Sequence, residues 1–253
     1  MSEATNIAGA LSAEGARGER FTIGRALSRA FSVFSQGFIQ FIVLTAIAYV
    51  PLLLVEIFAS GNPRTAAAGS GIAVFVQLVV SSLSTATCLF GAYQIMRGRP
   101  FTIGASLMVG LRRFGPVLGT SVLGGLLIMV GMLLFLVPGV IIACAIYVAL
   151  PACVIERLGP ANSLRRSRTL TKGYRWPIFG LSLIVFVVAW LLGFGVGFGA
   201  ARVAPGTLAA PLAGLVAQVL VGAFASVLYA VVYNDLRIDK EGVDIEHLAS
   251  VFD

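Results

Sequence analysis

Six long apolar runs constrain this chain more than any other feature of its sequence. A helix needs roughly 20 apolar residues to cross about 30 Å of hydrocarbon. The runs cover about residues 37–59, 72–96, 115–137, 140–155, 177–200 and 208–233. Only 11% of the residues are charged and 58% are hydrophobic, whereas roughly a quarter are charged in soluble domains. We therefore predict an all-α integral membrane protein with six transmembrane helices.

Prolines at two positions are expected to shape the runs. Pro51 is expected to bend the first run, and Pro138-Gly139 to form a tight turn between the third and the fourth. The fourth run is short for a full crossing. Tilt, local bilayer thinning or a partly re-entrant path would accommodate it.

An amphipathic stretch precedes every second run, which predicts an internal repeat. The letters FTIG occur at 21–24 and again at 101–104, and a third stretch starts at Pro160 and ends near Gly173. We predict three parallel repeats at about 21–96, 101–156 and 160–234, each a cytoplasmic interfacial helix followed by a transmembrane hairpin. They form a single membrane domain over 21–234.

The two ends of the chain are predicted to lie outside that domain. Residues 1–20 are small and polar and are expected to be a disordered cytoplasmic leader. Residues 235–253 form an acidic cytoplasmic tail, which is expected either to be solvated or to dock on the basic interfacial helices.

The distribution of positive charge predicts the orientation. All of the 18 lysines and arginines except Arg64 and Arg202 fall on one side of the predicted spans. Because cytoplasmic loops carry the excess of Lys and Arg, both termini are placed in the cytoplasm of a bacterial inner-membrane protein. The net charge of +7 lies beside apolar spans, which favours anionic lipids as partners over nucleic acid.

The basic residues of the amphipathic stretches are candidates for binding lipid headgroups or a partner protein. Arg165, Arg168 and Lys172 are spaced as one stripe on a helix, although the stripe could also serve only to set topology. The same binding role is expected for Arg25, Arg29, Arg112 and Arg113.

Glu156 is the carboxylate at the end of a long apolar run, immediately before the densest cationic cluster of the chain. A structural ion pair with a nearby arginine is expected. The alternative is cation binding or proton relay, because ionisable groups near hydrocarbon commonly have a functional role. Glu56 lies in a comparable position at the end of the first run.

Two further patterns lie inside spans. Gln77, Ser81 and Ser84 lie on one helix face and could line a polar path with Gln218, or simply link helices by hydrogen bonds. The second pattern has glycine at every other position and predicts close helix packing, with oligomerisation or a lipid groove as alternatives. Its residues are Gly193, Gly195, Gly197 and Gly199.

The inventory of catalytic groups is poor. The single histidine, His247, lies in the tail, and the three cysteines show no metal-ligand spacing. We therefore predict no metal, no cofactor and no enzymatic activity.

The leading functional hypothesis is a scaffold or accessory protein that binds lipids, a partner membrane protein or a second copy of itself. The alternatives are a small transporter or channel that uses the polar face of the second span, and a lipid-modifying enzyme. The enzyme would require Glu56 and Glu156 to converge at headgroup depth.

The second half of the chain resembles the bacterial membrane-domain family found attached to glycerophosphoryl diester phosphodiesterases, and its stand-alone relatives. The residues that carry the resemblance are Pro138-Gly139, Pro151, Glu156, Gly159-Pro160, Leu164-Arg165-Arg166-Ser167, Leu170-Thr171-Lys172-Gly173, Trp176 and the ending from Tyr233 to Asp244. The resemblance implies a six-span module concerned with membrane lipids, envelope organisation or partner proteins. Since only a short tail follows the last span, the phosphodiesterase activity and its metal are not expected here.

Overall fold

A computed structural model describes residues 21–60, 63–203 and 209–241, and within these residues the chain is all-helical, as predicted. Nine helices are present there. They are α1 (Ile23–Gln36), α2 (Phe38–Ser60), α3 (Pro63–Met96), α4 (Ile103–Leu134), α5 (Leu136–Ala145), α6 (Ala149–Ile155), α7 (Pro160–Leu170), α8 (Arg175–Val203) and α9 (Ala209–Glu241).

Five segments are long and apolar enough to cross a membrane, which confirms the predicted membrane class. They are Val74–Met96, Ile103–Leu134, Leu136–Ile155, Arg175–Ala200 and Leu212–Glu241. A sixth candidate is the pair formed by α1 and the first part of α2, which is bent by 84°. The bend lies at Gly37, between the two helices. A Cβ atom at this position would lie 2.7 Å from Ile95 Cδ1 and 2.8 Å from Phe41 Cε2.

The second amphipathic stretch does not form a separate interfacial helix, so that prediction is wrong. α4 is one helix of 32 residues that continues through Gly115 and Pro116. At about 1.5 Å per residue it is about 48 Å long, so one end must extend beyond the hydrocarbon layer. The third stretch, in contrast, is followed by Gly173, whose φ of 94° is left-handed and separates α7 from α8.

The turn between the third and fourth runs is at Phe135, not at the predicted Pro138-Gly139. Phe135 is extended, with φ −165° and ψ 154°, while Pro138 lies in the first turn of α5, where a missing N–H group is tolerated. Gly139 instead allows α4 and α5 to touch, because a Cβ atom there would lie 2.8 Å from the backbone nitrogen of Met132.

The fourth span is a broken helix. α5 ends at Ala145, residues 146–148 form a turn, and α6 begins at Ala149. Pro151 explains the break, because it has no N–H group to donate to Tyr147 and its ring would clash with the carbonyl group of that residue. The span Leu136–Ile155 therefore contains 20 residues, but some backbone groups in its middle have no hydrogen-bond partner within the helix.

α9 lies at the centre of the bundle, where it packs against α1, α2, α3 and α8. Its buried residues include Leu228, Tyr233 and Leu236. α8 lies at the edge of the bundle, since only 11% of an 18-residue apolar stretch within it is buried. Trp190, Phe194 and Phe198 stack along its exposed surface with ring centroids 5.4 and 5.7 Å apart. This side of the bundle consequently presents a wide apolar surface.

Candidate functional site at the charged end of the bundle

Glu156 is the centre of a hydrogen-bonded network that joins three helices. The residue caps the C-terminus of α6. Arg166 Nε of α7 donates to both carboxylate oxygens, at 2.8 and 3.0 Å, and the Tyr233 hydroxyl of α9 donates to Oε1 at 2.5 Å. The carboxylate therefore pairs with one member of the cationic cluster that follows it in the sequence.

Arg166 extends this network to the end of α9. Its Nη1 atom lies 2.6 Å from Glu241 Oε1, and Arg237 Nε donates to Glu241 Oε2 at 3.2 Å. Hydrogen bonding to Glu241, and then to Glu156, raises the pKa of the Arg166 guanidinium above its usual value. We call Glu156, Arg166, Tyr233, Arg237 and Glu241 the Glu156 network.

Side chains on and just after α7 also form hydrogen bonds with the backbone at the break in the fourth span. Ser167 Oγ donates to the Ala145 carbonyl oxygen at 2.9 Å and accepts from the Val148 N–H group at 3.2 Å. Thr171 Oγ1 donates to the same Ala145 oxygen at 3.0 Å. Because both side chains are fully buried, they satisfy backbone groups that water cannot reach. α7 is thus part of the bundle and not merely an interfacial helix.

The first part of the acidic tail is docked against the other helices. α9 continues to Glu241, and Asp235 accepts from Arg29 of α1 at 2.5 Å. Asp239 accepts from the Tyr174 hydroxyl, and Lys240 Nζ donates to the Lys172 carbonyl oxygen at 2.6 Å. The acids that follow lie outside the described residues, as does His247.

The predicted cationic stripe is exposed. Arg165, Arg168 and Lys172 are open to solvent, and their side chains form no ion pair with any residue that the structure describes. Arg29 is partly engaged by Asp235, and Arg25 lies close enough to act on the same carboxylate. Arg112 is exposed and Arg113 is half-buried on α4.

A pocket of about 450 Å³ contains four arginines. Arg97 follows α3, Arg112 and Arg113 belong to α4, and Arg157 follows α6. The remaining lining residues are Phe90, Tyr93, Val109, Val154 and Ile155. We call this cavity the arginine pocket.

No described carboxylate lies beside the arginines of this pocket. The Arg97 guanidinium lies 4.6 Å from the centre of the Tyr93 ring. In the described part of the chain, none of the four arginines lies within 4.0 Å of a carboxylate oxygen. The positive charge of the pocket is therefore not compensated by any residue that the structure describes.

The sequence predicted only part of this pocket. Arg112 and Arg113 were expected to bind headgroups, whereas Arg97, Arg157 and Tyr93 were not among the predicted binding residues. The spacing of Tyr93 and Arg97, four residues apart at the end of a span, is a signal that could have identified the pair. Arg157 could not be found in this way, because its position depends on its backbone conformation, with φ 57°.

The polar face of α3 is hydrogen-bonded within the bundle. Ser84 Oγ donates to Thr45 Oγ1 at 3.3 Å, Ser81 donates to the Leu78 carbonyl group of its own helix, and Gln77 lies near the Tyr49 hydroxyl of α2. Gln218 is exposed on α9 and takes no part in these hydrogen bonds. The arrangement links α2 with α3 and does not bring Gln218 to the same site.

The glycine pattern of α8 has no close neighbour among the described residues. A Cβ atom placed on any of the four glycines would meet no described atom within 4 Å. Close helix packing, oligomerisation and a lipid groove all stay predictions. The positions are Gly193, Gly195, Gly197 and Gly199.

Other candidate chemistry is limited in the described residues. They contain no group of three or more His, Cys, Asp or Glu residues arranged to hold a metal ion. The side chain of Glu56 lies outside the described residues, so its predicted role is untested.

Comparison with known proteins gives one match. A family described as a domain of unknown function, DUF7847, matches residues 94–236, which is more than half of the chain. The matched region contains all four arginines of the pocket and Glu156, Arg166 and Tyr233 of the network. No curated protein and no solved structure matches the chain. These findings do not test the resemblance to the phosphodiesterase membrane domain, which stays a prediction.

Proposed function

We propose that this chain, which belongs to the DUF7847 family, is a non-enzymatic accessory or scaffold protein that binds anionic membrane lipids. It would lie in a bacterial inner membrane with both termini in the cytoplasm. A partner membrane protein or a second copy of the chain remains a further candidate ligand.

The observation that carries the proposal is a collection of cations at one end of an apolar bundle, which have no ion-pair partner among the described residues. Arg165, Arg168 and Lys172 are exposed on or just after α7, whereas the carboxylates Glu156, Asp235 and Glu241 at this end are already engaged by arginines. Each free cation near a membrane surface contributes about 1 kcal/mol of attraction to anionic headgroups. The large apolar side chains exposed on α8 supply the surface that lipid tails cover.

The proposed orientation rests on the same asymmetry. Contacts among α1, α3, α4, α6, α7 and α9 bring the arginines of α1, of the α3–α4 connection and of α7 to one end. Arg202, at the end of α8, follows a span that leads away from this end. The inside-positive bias then places the charged end in the cytoplasm.

A three-fold repeat is part of the proposal. Thr22 and Thr102 both precede a helix and have similar extended backbones, with φ −125° and ψ 140° for Thr22 and φ −109° and ψ 125° for Thr102. The two FTIG segments thus begin helices in the same way. The units have diverged, since α4 continues into its span and α1 does not.

Lipid analysis of the protein in native nanodiscs tests the proposal. The wild-type protein is expected to retain more anionic phospholipid than the bulk membrane contains. Replacing Arg165, Arg168 and Lys172 together by Gln is expected to remove most of this enrichment, since about 3 kcal/mol of attraction is lost. The readout is the ratio of anionic to zwitterionic lipid by mass spectrometry.

Arg202→Gln provides the control, because Arg202 is also exposed but lies at the other end of α8. This variant is expected to retain the wild-type lipid ratio. A wild-type ratio equal to that of the bulk membrane would refute the proposal, and an equal effect of Arg202→Gln would refute the assignment to the charged end.

A further inference from the structure

We propose that the arginine pocket binds a polyanionic phosphate group, either a phosphomonoester or a diphosphate. The group can be carried by a lipid headgroup or by a soluble molecule. This inference deepens the lipid-binding function proposed above and rests on it for the lipid source. It assigns a binding site to Arg97, Arg112, Arg113 and Arg157, all of which line one cavity.

The charge of the pocket selects an anion. A guanidinium group cannot lose its proton under physiological conditions, so the repulsion among four of them cannot be relieved by titration. None of the described lining residues is a carboxylate. A bound anion would compensate this charge, and planar guanidinium groups match phosphate oxygens with paired hydrogen bonds.

The number of arginines selects the class of phosphate. A phosphodiester headgroup carries one negative charge, whereas a phosphomonoester carries about 1.5 to 2 at neutral pH and offers three terminal oxygens. Four guanidinium groups are better matched by the larger charge. A volume of about 450 Å³ is more than a single phosphate needs and leaves room for a diphosphate or for the group that is esterified to it.

The backbone at Arg157 determines which way its side chain lies. Arg157 is the single non-glycine residue with positive φ in the described chain. It follows the C-cap of α6, where a left-handed residue commonly ends a helix. Here the conformation separates neighbouring side chains: Glu156 joins Arg166 and Tyr233, while Arg157 lines the pocket.

The position of the pocket suits a lipid headgroup. Arg97 immediately follows the apolar span that ends at Met96, and Arg157 lies two residues after the span that ends at Ile155. Phe90, Val109 and Val154 provide the apolar part of the lining. A phosphate at this depth lies where hydrocarbon gives way to headgroups, with Tyr93 at the same level as expected for an interfacial aromatic residue.

The first experiment measures phosphate binding by calorimetry on the full chain in nanodiscs of zwitterionic phosphatidylcholine. Pyrophosphate is expected to bind about tenfold more tightly than dimethyl phosphate, which carries one charge. Arg97→Gln is expected to weaken pyrophosphate binding about tenfold. The matched control is Arg99→Gln, since Arg99 is exposed two residues away and does not line the pocket; it should bind as the wild type does.

Arg157→Gly separates binding from folding. Glycine adopts positive φ without strain, so this variant is expected to melt at or above the wild-type temperature while pyrophosphate binding falls about tenfold. If pyrophosphate does not bind to the wild type, or binds to Arg97→Gln and Arg157→Gly as tightly as to the wild type, the inference is overturned.

A competition experiment identifies the source of the phosphate. Nanodiscs that contain phosphatidic acid are expected to reduce pyrophosphate binding if the natural ligand is a lipid, and phosphatidylglycerol at equal content should compete less. Pyrophosphate binding that persists in phosphatidic acid would assign the pocket to a soluble phosphate. Equal competition by the two lipids would overturn the charge selectivity, although enrichment through Arg165, Arg168 and Lys172 could still hold.

Discussion

α1 and α7 are both short helices with cationic exposed faces, but different forces hold them against the bundle. α1 buries Ala26, Ala30, Val33 and Phe34, and the Phe34 ring packs against three other phenylalanines. α7 instead places hydroxyl groups on its buried face. Their hydrogen bonds end on the broken fourth span.

The difference teaches how a membrane bundle accommodates a break in a span. An apolar contact such as that of α1 tolerates small shifts, because it has no preferred direction. Hydrogen bonds to open backbone groups require a defined register, since a polar group left unpaired in an apolar environment is costly. α7 therefore has the more exacting position, and its stability should depend on individual hydroxyl groups.

The largest effect is expected from removing the hydroxyl groups of α7. The double variant Ser167→Ala/Thr171→Val leaves the Ala145 carbonyl and the Val148 N–H group without their side-chain partners. Each unsatisfied group costs about 1–3 kcal/mol, so the free energy of unfolding should fall by about 3 kcal/mol. Unfolding in a denaturing detergent, followed by circular dichroism, measures the change.

Ser163→Ala is the matched control for that variant. Ser163 is equally buried, but its hydroxyl donates to the Gly159 carbonyl of its own first turn at 2.9 Å, so a loss of less than about 1 kcal/mol is expected. If the double variant were no less stable than this control, the idea that α7 repairs the fourth span would be wrong.

An intermediate effect is expected at the Glu156 network. Arg166→Gln leaves Glu156 and Glu241 without their shared guanidinium. These carboxylates are 18% and 28% exposed, which lies between the fully buried case of about 3–5 kcal/mol and the exposed case of about 0–1 kcal/mol. A loss of about 2 kcal/mol is therefore expected in the same unfolding assay. Arg165→Gln, next to it but exposed, should leave stability unchanged.

The smallest effect is expected from a change in the apolar contact of α1. Phe34→Leu keeps an apolar side chain of somewhat smaller volume, which should cost about 1 kcal/mol. The neighbouring exposed residue Phe31 offers the control Phe31→Leu, with no measurable loss expected. A cost at Phe34 larger than that of the Ser167/Thr171 variant would reverse the comparison of the two helices.

Sequence patterns were reliable where a single helix decides the outcome. The start of α7 at Pro160 follows from the preference of proline for the first turn of a helix. α1 starts directly after Thr22, although the Thr22 side chain forms no capping hydrogen bond. The continuity of α4 was not predictable in this way, because Gly115 and Pro116 are equally compatible with a break. Its course depends on packing with α3, α5 and α7.

The same distinction between local patterns and long-range packing applies to the candidate site. Headgroup binding by Arg112 and Arg113 was predicted from their place on an amphipathic stretch. Their meeting with Arg97 and Arg157 could not be predicted, since 60 positions separate Arg97 from Arg157 along the chain and the left-handed backbone of Arg157 is set by its surroundings. Gly193 and its neighbours form a local packing pattern that has no close neighbour among the described residues.

The sequence by itself determined that this protein is a helical membrane protein with its positive charge gathered on one side, because these properties depend only on run length, polarity and the count of basic residues. The tertiary structure decided which polar groups meet. Glu156 pairs with Arg166 and Tyr233. Ser167 and Thr171 bond to backbone groups at the break in the fourth span, and four arginines line one pocket. These pairings depend on how distant segments pack, and a one-dimensional pattern does not specify that packing.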